Sequence, residues 1–395
     1  MLSSSPRPNP SAKGNGEWTR LASLDLFRGY AVLGMVIVNF VGSFKCTPRL
    51  LKHTNDYCSY ADTVMPHFLF AVGFALQIVW NRETTKGNSG ESIAASSFGY
   101  RIAIRCLRLM ILAFLVYVPL SPMLQGANWV SGSYWLAIFK RDWFQTLTHI
   151  AVTSIWVLPT ISLGWKGKLL WMVLGVGIHA VLSQWFYFDW VHASPSGIDG
   201  GPLGFFTWGI PAITGMLACT SWTEHTQQFG LSNVRALLGK WLLAAIGLML
   251  VGYGLSCGTR LFDQDRDRAV DTIRLAEPPF VPPPPRDQRA WNYWMMSQKA
   301  GTPSYQFFAA GFSLMVFVGF VWLCDVRSYG CPPLRTLGQN ALAIYVLHGF
   351  IDSWIKTYVA RDADAMQVVA ASLVQIAILY PVARWLQYKR WFIRL

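Results

Sequence analysis

The chain has 395 residues, 53% of them hydrophobic and only 13% charged, with 19 Trp and a formal net charge of +13. A charged share about half that of soluble domains excludes an ordinary soluble enzyme. Lys and Arg gather at the ends of apolar runs with no basic stripe of nucleic-acid spacing, which excludes a nucleic-acid partner.

In chain order, residues 1–20 are polar and rich in Pro and Ser, and are expected to form a disordered cytoplasmic tail. Apolar runs of about 20 residues follow, each long enough to cross a bilayer as a helix. They are placed at Leu24–Phe44, Asp62–Trp80, Gly99–Leu120, Trp143–Leu163 and Lys168–Phe188, then at Gly204–Trp222, Leu237–Ser256, Tyr305–Cys324, Leu337–Tyr358 and Met366–Leu386. The first is expected to act as an uncleaved signal-anchor. The fold class is therefore all-α: a polytopic helical membrane protein of about ten transmembrane spans. Residues 21–395 form a single domain with one long outer loop, 257–304. Within that loop the run Pro278–Pro285 reads as an extended spacer, and the aromatic and polar stretch AWNYWMMSQKAGTPSY that follows reads as an interfacial or lid segment. Short connections on one side carry more Lys and Arg, among them Arg82, Lys86, Lys166, Lys168, Arg235, Lys240, Arg327 and Arg335, so both termini are expected to be cytoplasmic. The seven Cys form no CxxC pair and no Cys/His metal pattern; Cys46 and Cys58 share an outer loop, where a disulfide is left open.

Ionisable groups at membrane depth are costly and mark functional sites. In this orientation Asn39, His53, Asp62, His67, His149, His179 and His348 all fall at or near the outer leaflet. Each His alone is more often bonded to a neighbouring helix than catalytic. Gathered at one depth with a carboxylate and an amide, they offer what general-base or nucleophilic chemistry needs. No two His share HxxxH spacing, which disfavours zinc, and no metal is expected. On the inner side Arg101, Arg105 and Arg108 share one helical face, and Asp25 and Arg28 stand three apart at the start of the first span. Guanidinium groups held this way suit a polyphosphate; the alternative is anionic lipid headgroups or plain topology signals.

The stretches RLASLDLFRGYAVLGMVIVNF (Arg20 to Phe40) and KHTNDYCSYADTVMPHFLFAVGFAL (Lys52 to Leu76) resemble the catalytic domain of heparan-alpha-glucosaminide N-acetyltransferase and its compact bacterial relatives. GPLGFFTWGIPAITGMLA (Gly201 to Ala218) and LRTLGQNALAIYVLHG (Leu334 to Gly349) are similar to later segments of that family. The resemblance implies a multi-span enzyme that passes an acyl group, typically acetyl, from cytoplasmic coenzyme A to an acceptor on the opposite face. It matches His53 to the family's catalytic loop His and Asn39 to the Asn ending the first span. Four features depart from the family pattern: Asp62 follows His53 by nine residues rather than ten, Thr54 to Cys58 lack Trp–Asn–Gly, His67 replaces an aromatic, and His149 stands where Gln–Arg is common.

The catalytic candidates are thus His53, Asn39, Asp62, His67 and His149. The candidates for holding coenzyme A are Arg28, Asp25, Arg101, Arg105 and Arg108. Acetyl-coenzyme A, or another acyl-coenzyme A, is the expected donor; the expected partners are a sugar or glycan acceptor and the lipid bilayer, with a homodimer left open, in a bacterial cytoplasmic (inner) membrane. A secondary transporter, in which buried His and Asp form a proton relay, and a catalytically altered membrane subunit are the competing readings. Against the first, the halves show no repeat.

Overall fold

Apolar segments in a bilayer satisfy their backbone polar groups by forming helices, and among the described residues every regular element is helical. The structure, a computed structural model, describes residues 21–86, 91–119, 132–230, 233–262, 275–284 and 291–391. The expected tail at 1–20 and parts of the loop 257–304 lie outside the described residues. Thirteen α-helices are described. They are α1 Ala22–Val41, α2 Val64–Lys86, α3 Glu91–Tyr117, α4 Gly132–Ala137, α5 Thr146–Val157, α6 Trp165–Leu182 and α7 Phe188–His192. They continue as α8 Phe205–Phe229, α9 Val234–Cys257, α10 Pro303–Val321, α11 Pro332–Gln339, α12 Ala341–Ile355 and α13 Ala365–Tyr388.

Among the described residues, six helices are long and apolar enough to cross a membrane: those at Ala22–Val41, Ala61–Thr85, Trp165–His192, Val234–Leu261, Pro303–Val326 and Ala365–Tyr388, where flanking turns extend the α-helical cores. The other four expected spans also fall on helices, with physical reasons for standing apart. Helix α3 carries Arg101, Arg105 and Arg108; α5 has only 12 residues before a 3₁₀ turn at Leu158–Thr160, where Pro159 cannot donate to the ladder. Helix α8 ends in the polar run Thr223–Gln228. The ninth expected span is broken at Asn340, whose side-chain Nδ2 donates to the carbonyls of Thr336 (3.0 Å) and Ala383 (3.2 Å).

Helices approach closely where glycine removes the side chain, the usual device of membrane helix packing. A Cβ at Gly73 of α2 would overlap the Ala212 carbonyl of α8, and one at Gly338 of α11 would overlap the Asp25 carbonyl of α1. Around these crossings pack Phe27, Phe70, Phe74 and Phe317 on one side and Ile210, Ile213 and Met216 on the other.

Two segments differ from their sequence reading. The proline run is not simply extended. It turns at Phe280, where φ is 72° and the Val281 amide donates to Pro278 O at 3.1 Å. The cause is packing: half-buried Phe280 packs against Phe308 and Phe312, and its amide donates to the Cys58 carbonyl at 2.9 Å. Cys46 and Cys58, between which the sequence leaves a disulfide open, are both free thiols, the first exposed and the second buried, so no disulfide joins them.

Because Gly73 meets backbone rather than a yielding side chain, Gly73→Val should separate α2 from α8 and destabilise the protein by about 1–3 kcal/mol. Gly177, which faces open space in α6, supplies the control. In detergent melts Gly73→Val should lower Tm by several degrees, while Gly177→Val leaves it close to wild type.

Candidate functional site

The connection between α1 and α2 folds around one carboxylate. Asp62 lies in a 3₁₀ turn, Ala61–Thr63, at the head of α2 and is fully buried. Its Oδ2 accepts from the Ser59 amide at 3.0 Å, and its Oδ1 accepts from the Thr54 amide at 3.4 Å and from His53 Nδ1 at 3.0 Å. Tyr305 of α10 donates its hydroxyl to the Asp62 carbonyl at 2.6 Å, tying the turn to the bundle. The nine-residue separation is no obstacle to pairing, since the loop coils back on Asp62 through Thr54 and Ser59. Burial pulls the His53 imidazole pKa down, but the Asp62 hydrogen bond and charge outweigh it, and the pKa is raised above 6.5. His53 remains 46% exposed, so its ring is reachable from outside.

A second wall comes from two loops distant in sequence. Residues 193–204 and 291–302 are knitted together where the Gly200 amide donates to Lys299 O (3.0 Å) and Thr207 Oγ1 to Gly301 O (2.6 Å). Asp199 adopts φ 52°, unusual for a residue with a Cβ. It is held there by Trp208 Nε1 donating to its carbonyl at 2.6 Å and by Tyr187 donating to Gly200 O at 2.5 Å. Gln298 bridges the walls: its Nε2 donates to Asp199 Oδ1 at 2.9 Å, and its Oε1 faces His53 Nδ1 at 3.2 Å. Burial pushes the Asp199 carboxyl up to about 6, against the pull of the His53 charge. The third side is α1, where Asn39 Oδ1 stands 3.3 Å from His53 Nε2.

Asn39, His53, Asp199 and Gln298 line a cavity of about 410 Å³ together with Asn55, Arg141, Gln145, Thr146 and Lys299. His53, Asn39 and Asp62 are thus brought together. His67 and His149 are not part of this cavity lining. His67 is bonded through Nδ1 to Ser313 Oγ at 2.7 Å and packed among Phe27, Tyr30 and Phe312. His149 is fully buried against Phe144 and Trp208. His179 is bonded to the Tyr293 hydroxyl at 2.9 Å.

A larger cavity of about 580 Å³ opens at the other end of α1, lined by Asp25, Arg28, Arg82, Arg105 and Gln339. Arg101 and Arg108 stand outside it, and Arg101 is ion-paired with Glu83. Phe68 and Tyr345 line both cavities, so the two spaces approach each other on either side of these rings. Sequence reasoning missed Asp199, Gln298, Phe68 and Tyr345, and it counted Arg82 only as a topology signal. The Asp–Gly–Gly turn at Asp199–Gly201 and the aromatic and polar stretch around Gln298 were the available signals. Among the described residues, no group of three or more His, Cys, Asp or Glu could hold a metal ion.

A protein-family model described as an acyltransferase domain matches residues 21–384, nearly all of the chain. No curated protein gives a significant match.

Because the Asp62 carboxylate is what lifts the His53 pKa, Asp62→Asn should lower it. With that charge gone, burial is opposed only by the smaller pull of Asp199 and Gln298, and the neutral form is favoured. The pH dependence of His53 carbethoxylation, read by peptide mass, should shift its midpoint to lower pH than in wild type; an unchanged midpoint would mean the pair is not coupled.

Proposed function

We propose that this chain, which belongs to the acyltransferase-domain family, is an integral membrane enzyme that carries an acyl group, acetyl in the simplest case, from cytoplasmic acyl-coenzyme A to a sugar or glycan acceptor across the bilayer. The observation that carries this reading is the pair of cavities sharing Phe68 and Tyr345, one lined by three Arg and the other by His53. A donor with a polyphosphate head and a long thin arm suits that arrangement. The head is held by Arg28, Arg82 and Arg105, where charge-assisted contacts to phosphate are strong, and the arm passes between Phe68 and Tyr345 to present its thioester beside His53.

In this reading the helices α3, α5, α8 and α12 supply the crossings beyond the six apolar ones, giving ten spans. Both termini are then cytoplasmic, as the Lys and Arg bias requires. That orientation puts the Arg-lined cavity on the coenzyme A side and the His53 cavity on the outer face of a bacterial cytoplasmic membrane.

The chemistry follows from the geometry around His53. Asp62 accepts from Nδ1 and so fixes the ring, leaving Nε2 as the atom that handles the proton. The acceptor oxygen or nitrogen attacks the thioester carbonyl while neutral Nε2 takes its proton. The C–S bond breaks, and coenzyme A leaves as the thiol after collecting that proton. The second hydrogen on Asn39 Nδ2 is available to the oxygen that gains charge.

Two measurements test this. Arg28→Ala, Arg82→Ala and Arg105→Ala should each raise the coenzyme A Kd about ten-fold or more, while Arg101→Ala, outside the cavity, leaves it near wild type; unchanged affinity in all three cavity variants would return these Arg to topology signals. In an acetyl-coenzyme A hydrolysis or transfer assay, His53→Ala should cut turnover by about 10²–10⁴-fold with coenzyme A still bound. A folded His53→Ala protein of wild-type activity would remove the residue from the mechanism.

A further inference from the structure

The hydrogen bonds around Asn39 set a protonation state that the reaction itself does not require. His348 of α12 is buried, and its Nδ1 faces the Tyr345 carbonyl one turn earlier in the helix. A carbonyl only accepts, so Nδ1 carries the hydrogen and Nε2 of His348 presents a lone pair. The Asn39 atom 3.2 Å from that lone pair must therefore be the donor, Nδ2. This turns Asn39 Oδ1 toward His53 Nε2, at 3.3 Å. On the other edge of the His53 ring, Nδ1 faces Asp62 Oδ1 at 3.0 Å and Gln298 Oε1 at 3.2 Å. Gln298 is oriented in turn, because its Nε2 is committed to Asp199. Both nitrogens of His53 thus face oxygens that can only accept. A neutral imidazole has a single N–H and leaves one of these contacts as lone pair against lone pair; the imidazolium satisfies both.

We infer that His348 is a positioning residue that acts through Asn39: it holds the amide oxygen toward His53 and so keeps His53 doubly protonated in the empty enzyme. This rests on the acyltransferase reading for its consequence. An acceptor hydroxyl or amine that arrives between Asn39 and His53 replaces the amide oxygen at Nε2 with a hydrogen-bond donor. The Nε2 proton then leaves through the open mouth to solvent, and the base is formed only when an acceptor is present. An imidazolium in the empty site is also a poor nucleophile, which protects it from stray acylation.

Other charges face the same ring. Asp62 and Asp199 favour its protonation, and the cations lining the same cavity are Arg141 and Lys299. Behind Asn39, Lys356 donates to the Asn39 carbonyl at 3.2 Å and is paired with Asp352 at 2.8 Å, so that cation is largely balanced. The raised pKa of His53 agrees in direction with the hydrogen-bond logic.

The test measures His53 titration in the full-length protein without donor or acceptor, by carbethoxylation with diethyl pyrocarbonate across pH and peptide mass analysis. His348→Phe keeps the ring volume and removes the acceptor for Asn39 Nδ2. The Asn39 amide is then free to turn its NH₂ toward Nε2, and the midpoint should fall by about one pH unit or more. His348→Gln can still accept from Asn39 and should keep the wild-type midpoint. Combining His348→Phe with Asn39→Asp, which presents only oxygens, should bring the midpoint back to the wild-type value or above. A midpoint unmoved by His348→Phe, or lowered equally by His348→Gln, would overturn the inference. Neither result depends on turnover. If wild-type protein bound no acyl-coenzyme A, the acyltransferase reading would fail while the titration still decided the role of His348.

Discussion

A buried carboxylate is the constraint around which the His53 end of this molecule is arranged. An ionised group taken out of water is tolerated only when charge and hydrogen bonds replace the lost hydration. Asp62 finds them in the amides of Ser59 and Thr54 and in His53, while the Tyr305 hydroxyl secures its backbone. The loop between α1 and α2 coils back because the carboxylate holds it. The proline-rich segment follows that loop in turn, since the Phe280 amide is tied to Cys58 beside it. One acidic side chain thereby determines where a histidine stands, which atom it presents and which loops close over it.

Close packing and open space are divided along the same helices. At Gly73 and Gly338 the absence of a side chain lets backbones touch. Phe68 of α2 and Tyr345 of α12 line both cavities, with Gly338 at the edge of the Arg-lined one. The polar lining differs at the two ends: Arg on one side, and a mixture of amides, carboxylates and one reachable imidazole on the other. Small residues in the crossings make the bundle rigid enough for the cavity walls to hold their geometry.

The histidines show how much burial and partners matter. His67, His149 and His179 are expected beside His53 from the sequence, but their rings are enclosed by Phe27 and Phe312, by Phe144 and Trp208, and by Tyr187 and Tyr293. His53 differs in having both a buried carboxylate partner and an open side. His348 differs again: it is enclosed, yet it touches the site through Asn39. Of the five, His53 alone lines the cavity.

Much of this was legible in the chain. Hydropathy marks the helices because a bilayer demands long apolar runs, and each expected span falls on one. The Asp62–His53 pairing was near to legible, since both residues lie in one short connection. What lies outside the sequence's reach is contact between segments far apart along the chain. Gln298 reaches His53 across 245 residues, and His348 reaches Asn39 across 309. No local pattern encodes such contacts; they arise when helices and loops pack. The same is true of the choice among Arg101, Arg105 and Arg108, which share a helical face by spacing, while only Arg105 of the three lines the cavity. The orientation of one amide between two histidines is the finest of these decisions. It depends on which atoms can donate, and only the folded arrangement brings those atoms within reach.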